Sequence, residues 1–195
     1  MAAMHLLYLH GFRSSPASFK ARVMADWLAE RRPDVRWWCP QLPASPAAAW
    51  ALIAQGIAGW PRAGMAVVGS SLGGFYATAV AEATGCRALL LNPAVNPARD
   101  LATQIGEQTQ FHAPDQRFYF RPDYIAELRA LTVPAITQPE RYSALIAKGD
   151  EVLDWREMVA RYPGARIRLL EGSDHGLSDF NDHLPFVQEF LPPCD

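Results

Sequence analysis

Ser71 stands in the run Gly69-Ser70-Ser71-Leu72-Gly73, with a residue lacking a side chain two places to either side of it. The run falls between an apolar segment, Met65 to Val68, and a helical stretch beginning at Leu72. G-x-S-x-G between a strand and a helix reads as a nucleophile elbow, a sharp turn that lifts the serine hydroxyl clear of the backbone. Glycines at Gly69 and Gly73 let the flanking segments pass closely, because no Cβ intervenes. The N–H groups at the start of the following helix favour a developing negative charge. The same short motif also suits a glycine-rich turn that cradles a phosphate, so the residues that would work with Ser71 decide between the two.

A serine hydroxyl is a weak nucleophile at neutral pH until a base takes its proton. Of the five histidines, His175 is the best placed, in the loop Gly172-Ser173-Asp174-His175-Gly176 after the last expected strand. A loop there brings an imidazole over the carboxyl edge of a parallel sheet, where ligands bind in open α/β folds. His5 lies inside a strand, His112 and His183 have no supporting motif, and His183 is expected at the surface. In the order Ser, then acid, then His, the acid lies between the two in the chain. Asp150 follows the strand ending Ala147-Lys148-Gly149 and is the expected partner that orients the imidazole. Glu151 and Asp154 are neighbouring rivals, with Asp154 better suited to cap the next helix. An oxyanion hole needs two fixed N–H donors. Leu72, after the nucleophile, is one, and Phe12, in His10-Gly11-Phe12 after the first strand, is the other. His10 precedes the serine, so it is read as a residue that pins this loop.

These residues must be held by a parallel sheet. Short apolar runs alternate with amphipathic ones, which implies strands flanked by helices. Strands are expected at His5 to Leu9, Val35 to Cys39, Met65 to Gly69, Arg87 to Leu91, Tyr142 to Ala147 and Arg166 to Leu170. Near-continuous apolar character in several of them fits strands covered on both faces. Helices are expected at Ala17 to Arg31, Pro46 to Ile57, Leu72 to Thr84, Asp123 to Leu131, Asp154 to Tyr162 and Phe180 to Phe190. Residues 93–138 are too long for an ordinary connection. They carry Phe111, Phe118, Tyr119, Phe120 and Tyr124, which form either an aromatic wall over an acyl pocket or a satellite core packed on the sheet.

A chain of 195 residues fits one domain, residues 1–195, with a large core. The net charge is −2 with scattered Lys and Arg, which gives no footprint for nucleic acid or an anionic membrane surface. No apolar run approaches the length of a membrane span. The three cysteines, Cys39, Cys86 and Cys194, form neither a disulfide framework nor a metal-ligand spacing, and a reducing cytoplasm is expected. No cofactor or metal is called for, and oligomeric state is not written in the residues.

The segments HGFRSSP from His10, VVGSSLGGFYA from Val67, LNPAVNP from Leu91, GDEVLDW from Gly149 and EGSDHGL from Glu171 together resemble the YqiA-type small esterases of the α/β-hydrolase superfamily. The resemblance runs from about Leu6 to Phe190. It implies an α/β-hydrolase fold: a mostly parallel sheet of about six strands, helices on both faces and a short lid-like insertion at 93–138. It also implies a cofactor-free serine esterase acting on small acyl esters or thioesters, with Ser71, Asp150 and His175 as the catalytic triad. Asn92 matches too, without an assigned role. Within the same chemistry an acyl-CoA thioesterase, a small-peptide hydrolase or an acyltransferase remains open, because specificity lies in pocket contacts. A non-catalytic hydrolase-fold binding protein is the alternative from another class. A metal-dependent hydrolase is disfavoured by the absence of ligand spacing.

Overall fold

The chain alternates side chains between two apolar layers from its first strand onward. In β1 (Met4–Leu9), Leu6 and Tyr8 enter one core while Leu7 and Leu9 enter the other. Such alternation of equally buried residues is what a strand covered on both faces requires. The structure, a computed structural model, describes residues 4–192. After β1 come α1 (Phe19–Arg31), β2 (Val35–Trp38), α2 (Pro46–Ile57), β3 (Met65–Ser70), α3 (Leu72–Thr84) and β4 (Arg87–Leu91). The middle of the chain supplies α4 (Pro97–Asp100), β5 (Gly106–Gln110), β6 (Ala113–Phe120) and α5 (Tyr124–Ala130). It ends with β7 (Tyr142–Ala147), α6 (Trp155–Arg161), β8 (Arg166–Leu170) and α7 (Leu184–Phe190).

The main sheet has six strands, all parallel, in the order β2-β1-β3-β4-β7-β8. Its strands coincide with the six apolar runs, and helices cover both faces, as in the α/β-hydrolase fold. Met24 and Leu28 of α1 and Phe186, Val187 and Phe190 of α7 pack on the Leu6/Tyr8 face. Ile53 of α2, Phe75 and Val80 of α3, Leu128 of α5 and Met158 of α6 pack on the Leu7/Leu9 face. The register aligns the carboxyl ends: Leu9 pairs with Gly69, Ser70 with Leu91, Leu91 with Leu145, and Ala147 with Leu170. Every loop that carries a candidate site residue therefore leaves the same edge.

Helix ends follow local chemistry. Pro46 opens α2 while the Ser45 hydroxyl accepts the Ala48 N–H at 3.1 Å. Asp154 likewise caps α6, accepting the Arg156 N–H at 2.9 Å. The expected helix Phe180 to Phe190 is broken: residues 180–183 form a 3-10 turn and α7 starts at Leu184. Pro185 has no N–H to continue a helix from the preceding turn, but suits the first turn of a new one. The second strand stops at Trp38, before Cys39 and Pro40. Within 93–138 the sequence pattern signals the α5 helix but not the antiparallel hairpin β5–β6, which carries a register shift at Thr109/Gln110. Its turn, Phe111-His112, contains none of the Asn-Gly or Asp-Gly pairs that mark hairpins.

Candidate active site

Ser71 is the residue between β3 and α3, and its backbone is held at φ 54°, ψ −122°. A non-glycine residue there is strained by roughly 1–3 kcal/mol, so the surroundings must impose it. The Ser71 N–H donates to Leu91 O at 3.0 Å, and Ser71 O accepts from Gly74 N at 2.8 Å and Ala94 N at 2.9 Å. The flanking glycines are sterically obligatory. A Cβ on Gly69 would lie 2.2 Å from Gly73 O, and one on Gly73 would lie 1.8 Å from Leu9 O.

The structure brings His175 and Asp150 to this serine from the ends of β8 and β7. Ser71 Oγ and His175 Nε2 are 3.0 Å apart, and His175 Nδ1 lies 2.7 Å from Asp150 Oδ2. The carboxylate side chain is fully buried, while the imidazole is 21% exposed and so reachable from a pocket. Asp150 Oδ1 accepts the N–H groups of Val152 at 2.8 Å and Leu153 at 2.7 Å, which fixes the carboxylate and matches its charge. With Nδ1–H held by Asp150, Nε2 presents its lone pair to the Ser71 hydroxyl. That arrangement allows proton transfer from oxygen to nitrogen.

The rivals to Asp150 have other work. Glu151 accepts the His175 main-chain N–H at 3.0 Å, so it grips the histidine without touching its ring. Asp154 caps α6, as above. Gly149 abuts the histidine loop, and a Cβ there would stand 2.2 Å from Ser173 O. His183 is not the free surface residue that its sequence setting suggests. Its side chain is partly buried and bonds Asp179 at 3.1 Å, and Asp179 also accepts from the Ser173 hydroxyl. This cluster ties the histidine loop to the turn before α7. The spacing of Asp179 and His183, one helical turn apart, is the signal that would have suggested it.

Asn92 is the residue whose role the sequence does not disclose. It is fully buried, with φ 42°, at the end of β4. Its Oδ1 accepts the Ala147 N–H at 2.8 Å, and its Nδ2 donates to Asp174 O at 3.0 Å and His175 O at 3.2 Å. One amide thus joins the strand that leads to Asp150 with the loop that carries His175.

On the other side of Ser71 runs the loop after β1. A Cβ on Gly11 would be 3.2 Å from Ser71 Cβ, so the backbone of this loop passes directly beside the serine. Among the described residues, neither the Phe12 nor the Leu72 N–H donates to a protein acceptor. His10 pins this loop: Nε2 accepts the Leu42 N–H at 3.0 Å, and Nδ1 faces Gly11 O at 2.9 Å. Burial pushes the imidazole below its usual pKa, in keeping with a neutral ring that donates from Nδ1 and accepts at Nε2. The β5–β6 hairpin braces the same loop. Arg13 donates to Thr109 O at 2.7 Å and lies 4.5 Å over the Phe111 ring. Phe12 packs edge-on against Phe118 and Phe120. The aromatic residues of 93–138 divide: Phe120 is core, Phe111 and Phe118 line pockets, and Tyr119 is exposed.

Two cavities meet at this loop. One, of about 240 Å³, is lined by Ser71, His175, Lys20, Tyr8 and Phe111. The other, of about 270 Å³, is lined by Phe12, Leu42, Pro43, Leu72, Tyr76 and Phe118. Among the described residues no cluster of His, Cys, Asp and Glu could hold a metal ion, and no helix is long and apolar enough to cross a membrane.

The fold is shared with solved structures of low sequence identity. A protein from Agrobacterium vitis S4 superposes with a TM-score of 0.76 at 16% identity, over 97% of this chain and 88% of that one. Mouse alpha/beta hydrolase domain-containing protein 10 gives 0.70 at 15% identity, over 95% and 87%. Est1E from Butyrivibrio proteoclasticus, with ferulic acid bound, gives 0.67 at 13% identity, over 95% and 85%. The model of the family described as Uncharacterised protein family (UPF0227) matches residues 5–192, which takes in every strand end and loop of the site. The chain therefore belongs to that family, the YqiA-type branch of the α/β hydrolases.

Proposed function

We propose that the protein is a serine esterase that hydrolyses small acyl esters or thioesters through an acyl-enzyme on Ser71. The observation that carries this reading is the continuous chain from Ser71 Oγ through the His175 ring to the buried Asp150 carboxylate. His175 Nε2 takes the hydroxyl proton as Ser71 Oγ bonds to the ester carbon. The carbonyl oxygen, now negative, is received by the Phe12 and Leu72 N–H groups, and each such donor is worth about 3–4 kcal/mol in the transition state. The imidazolium then protonates the leaving oxygen or sulfur as its bond to the carbonyl carbon breaks. Water, deprotonated by the same imidazole, attacks the acyl-enzyme and releases the acid and Ser71.

Membership in the YqiA-type family and likeness of fold to a solved structure described as an esterase from Pyrococcus furiosus support the ester substrate. Residues 93–138 act in this reading as a lid-like insertion in a single domain, bracing the oxyanion loop and walling both cavities. The free thiols Cys39 and Cys86 suit a reducing, cytoplasmic setting; Cys194 lies outside the described residues. Replacing Ser71 by Ala tests the reading. Ester turnover should fall by about 10⁴-fold or more, and a fluorophosphonate probe should label the folded wild type at Ser71 and leave the variant unlabelled. Full turnover by the variant overturns the proposal.

A further inference from the structure

The cavity shared by Ser71 and His175 contains a buried cation that the acyl-transfer scheme does not use. Lys20, on the first turn of α1, is 9% exposed and lines this cavity. Its ammonium carries three N–H donors, and among the described residues Gly176 O is its one hydrogen-bond acceptor. Tyr8 and Ser18 belong to the same wall, but their hydroxyls lie close to one another and are closed off from the cavity. A buried ammonium with donors to spare is costly. Its place in the cavity of the nucleophile fits a negatively charged, oxygen-bearing group of the substrate. Support of the histidine loop uses one Lys20 donor, on Gly176 O, and leaves two.

The direction of proton return says which half of the ester this cavity receives. His175 Nε2 gives its proton to the leaving atom, so the leaving group lies on the imidazole side of Ser71, where Lys20 and Gly176 are. The acyl chain is left to the apolar cavity beside Leu72 and Phe118. Resting on the esterase reading above, we infer that Lys20 forms a carboxylate subsite for the leaving alcohol, so that favoured substrates are esters of short hydroxy acids.

The charge needed is present at neutral pH. Burial lowers the Lys20 ammonium to about 8, opposed by the carboxylates of Asp174 and Asp150. Those two charges are already met elsewhere, by Ser178 N–H and by Val152 N–H, Leu153 N–H and the His175 ring respectively. His175, His112, His10 and Tyr8 are the other titratable groups lining the cavity. Protonated Lys20 predominates at pH 7 and is lost as pH rises through 8.

Two matched ester pairs test the inference by kcat/KM. The butyrate ester of glycolate is compared with that of glycolamide, equal in size but differing in charge on the alcohol. Methyl hemisuccinate is compared with methyl succinamate to place the charge on the acyl side. At pH 7 the glycolate ester should be preferred by about tenfold or more, the scale of a charge-assisted hydrogen bond. The preference should fall towards unity in Lys20→Met, and also in the unmodified enzyme at pH 9.5, a measurement that does not depend on the variant folding. Turnover of the glycolamide ester without a glycolate preference overturns the subsite alone, as does a preference confined to the hemisuccinate pair. Absence of turnover on every ester overturns the esterase reading as well.

Discussion

Asn92 shows how much of a site is carried by a residue that need not touch substrate. Its amide supplies an acceptor to Ala147 N–H and a donor shared by two carbonyls, one of them of His175. Asn92→Asp keeps the acceptor and puts an oxygen against those two carbonyls. A shift of about 1 Å in a reacting group costs roughly a hundredfold in rate. The variant should therefore lose about that factor in kcat while KM stays within about twofold, and Asn92→Ala should lose stability by about 1–3 kcal/mol. Steady-state kinetics and urea unfolding check the two halves; a variant that folds with full kcat and an unchanged pH profile would show that Asn92 does not position His175. The sequence displays this asparagine in LNPAVNP but cannot say what its amide meets, because its partners are 55 to 83 positions away.

At the scale of elements, the elbow works because β1, β3 and the start of α3 approach more closely than side chains permit. Gly73→Ala places a methyl group 1.8 Å from Leu9 O, a backbone atom that cannot rotate away. This substitution should destabilise the fold by about 3 kcal/mol or more and abolish activity. Gly172→Ala, where a Cβ meets nothing within 4 Å, should stay within about 0.5 kcal/mol of the parent in the same urea titration. The elbow, the strand ends and the helix caps are legible locally: Gly-x-Ser-x-Gly, Ser45-Pro46 and Asp154 each follow from short-range rules. The hairpin is not. β5 has no buried residue and β6 has exposed residues on both faces, so the alternation that marks a half-buried strand is absent. Its pairing is instead anchored by Arg13 and Phe12 from a distant loop.

For the whole molecule, stability should carry the signature of His10. Burial holds its folded pKa below the unfolded value of about 6.5. The unfolded chain therefore binds more protons as pH drops below that value, so stability is fully present above it and declines on acidification. Asp174 and Asp179, whose pKa values are lowered by the bonds from Ser178 N–H and from the Ser173 hydroxyl, act in the same direction only at much lower pH. Urea unfolding of the wild type should thus show a fall between pH 7 and pH 5.5 that is flattened in His10→Gln. An equal slope in both proteins would remove His10 as the cause.

The sequence by itself determined the sheet and the order of its site residues. Periodicity and apolar runs depend on neighbours a few positions apart, and the parallel topology then delivers every strand's carboxyl end to one edge. Ser71, Asp150 and His175 could be named because each directly follows a readable strand. Tertiary structure alone decided their distances, the grip of Asn92 and Glu151 on the histidine loop, and the placing of Lys20 beside Ser71. Those contacts join residues far apart in the chain, and their energies come from burial and from the matching of donors to acceptors, which exist only after the layers have packed.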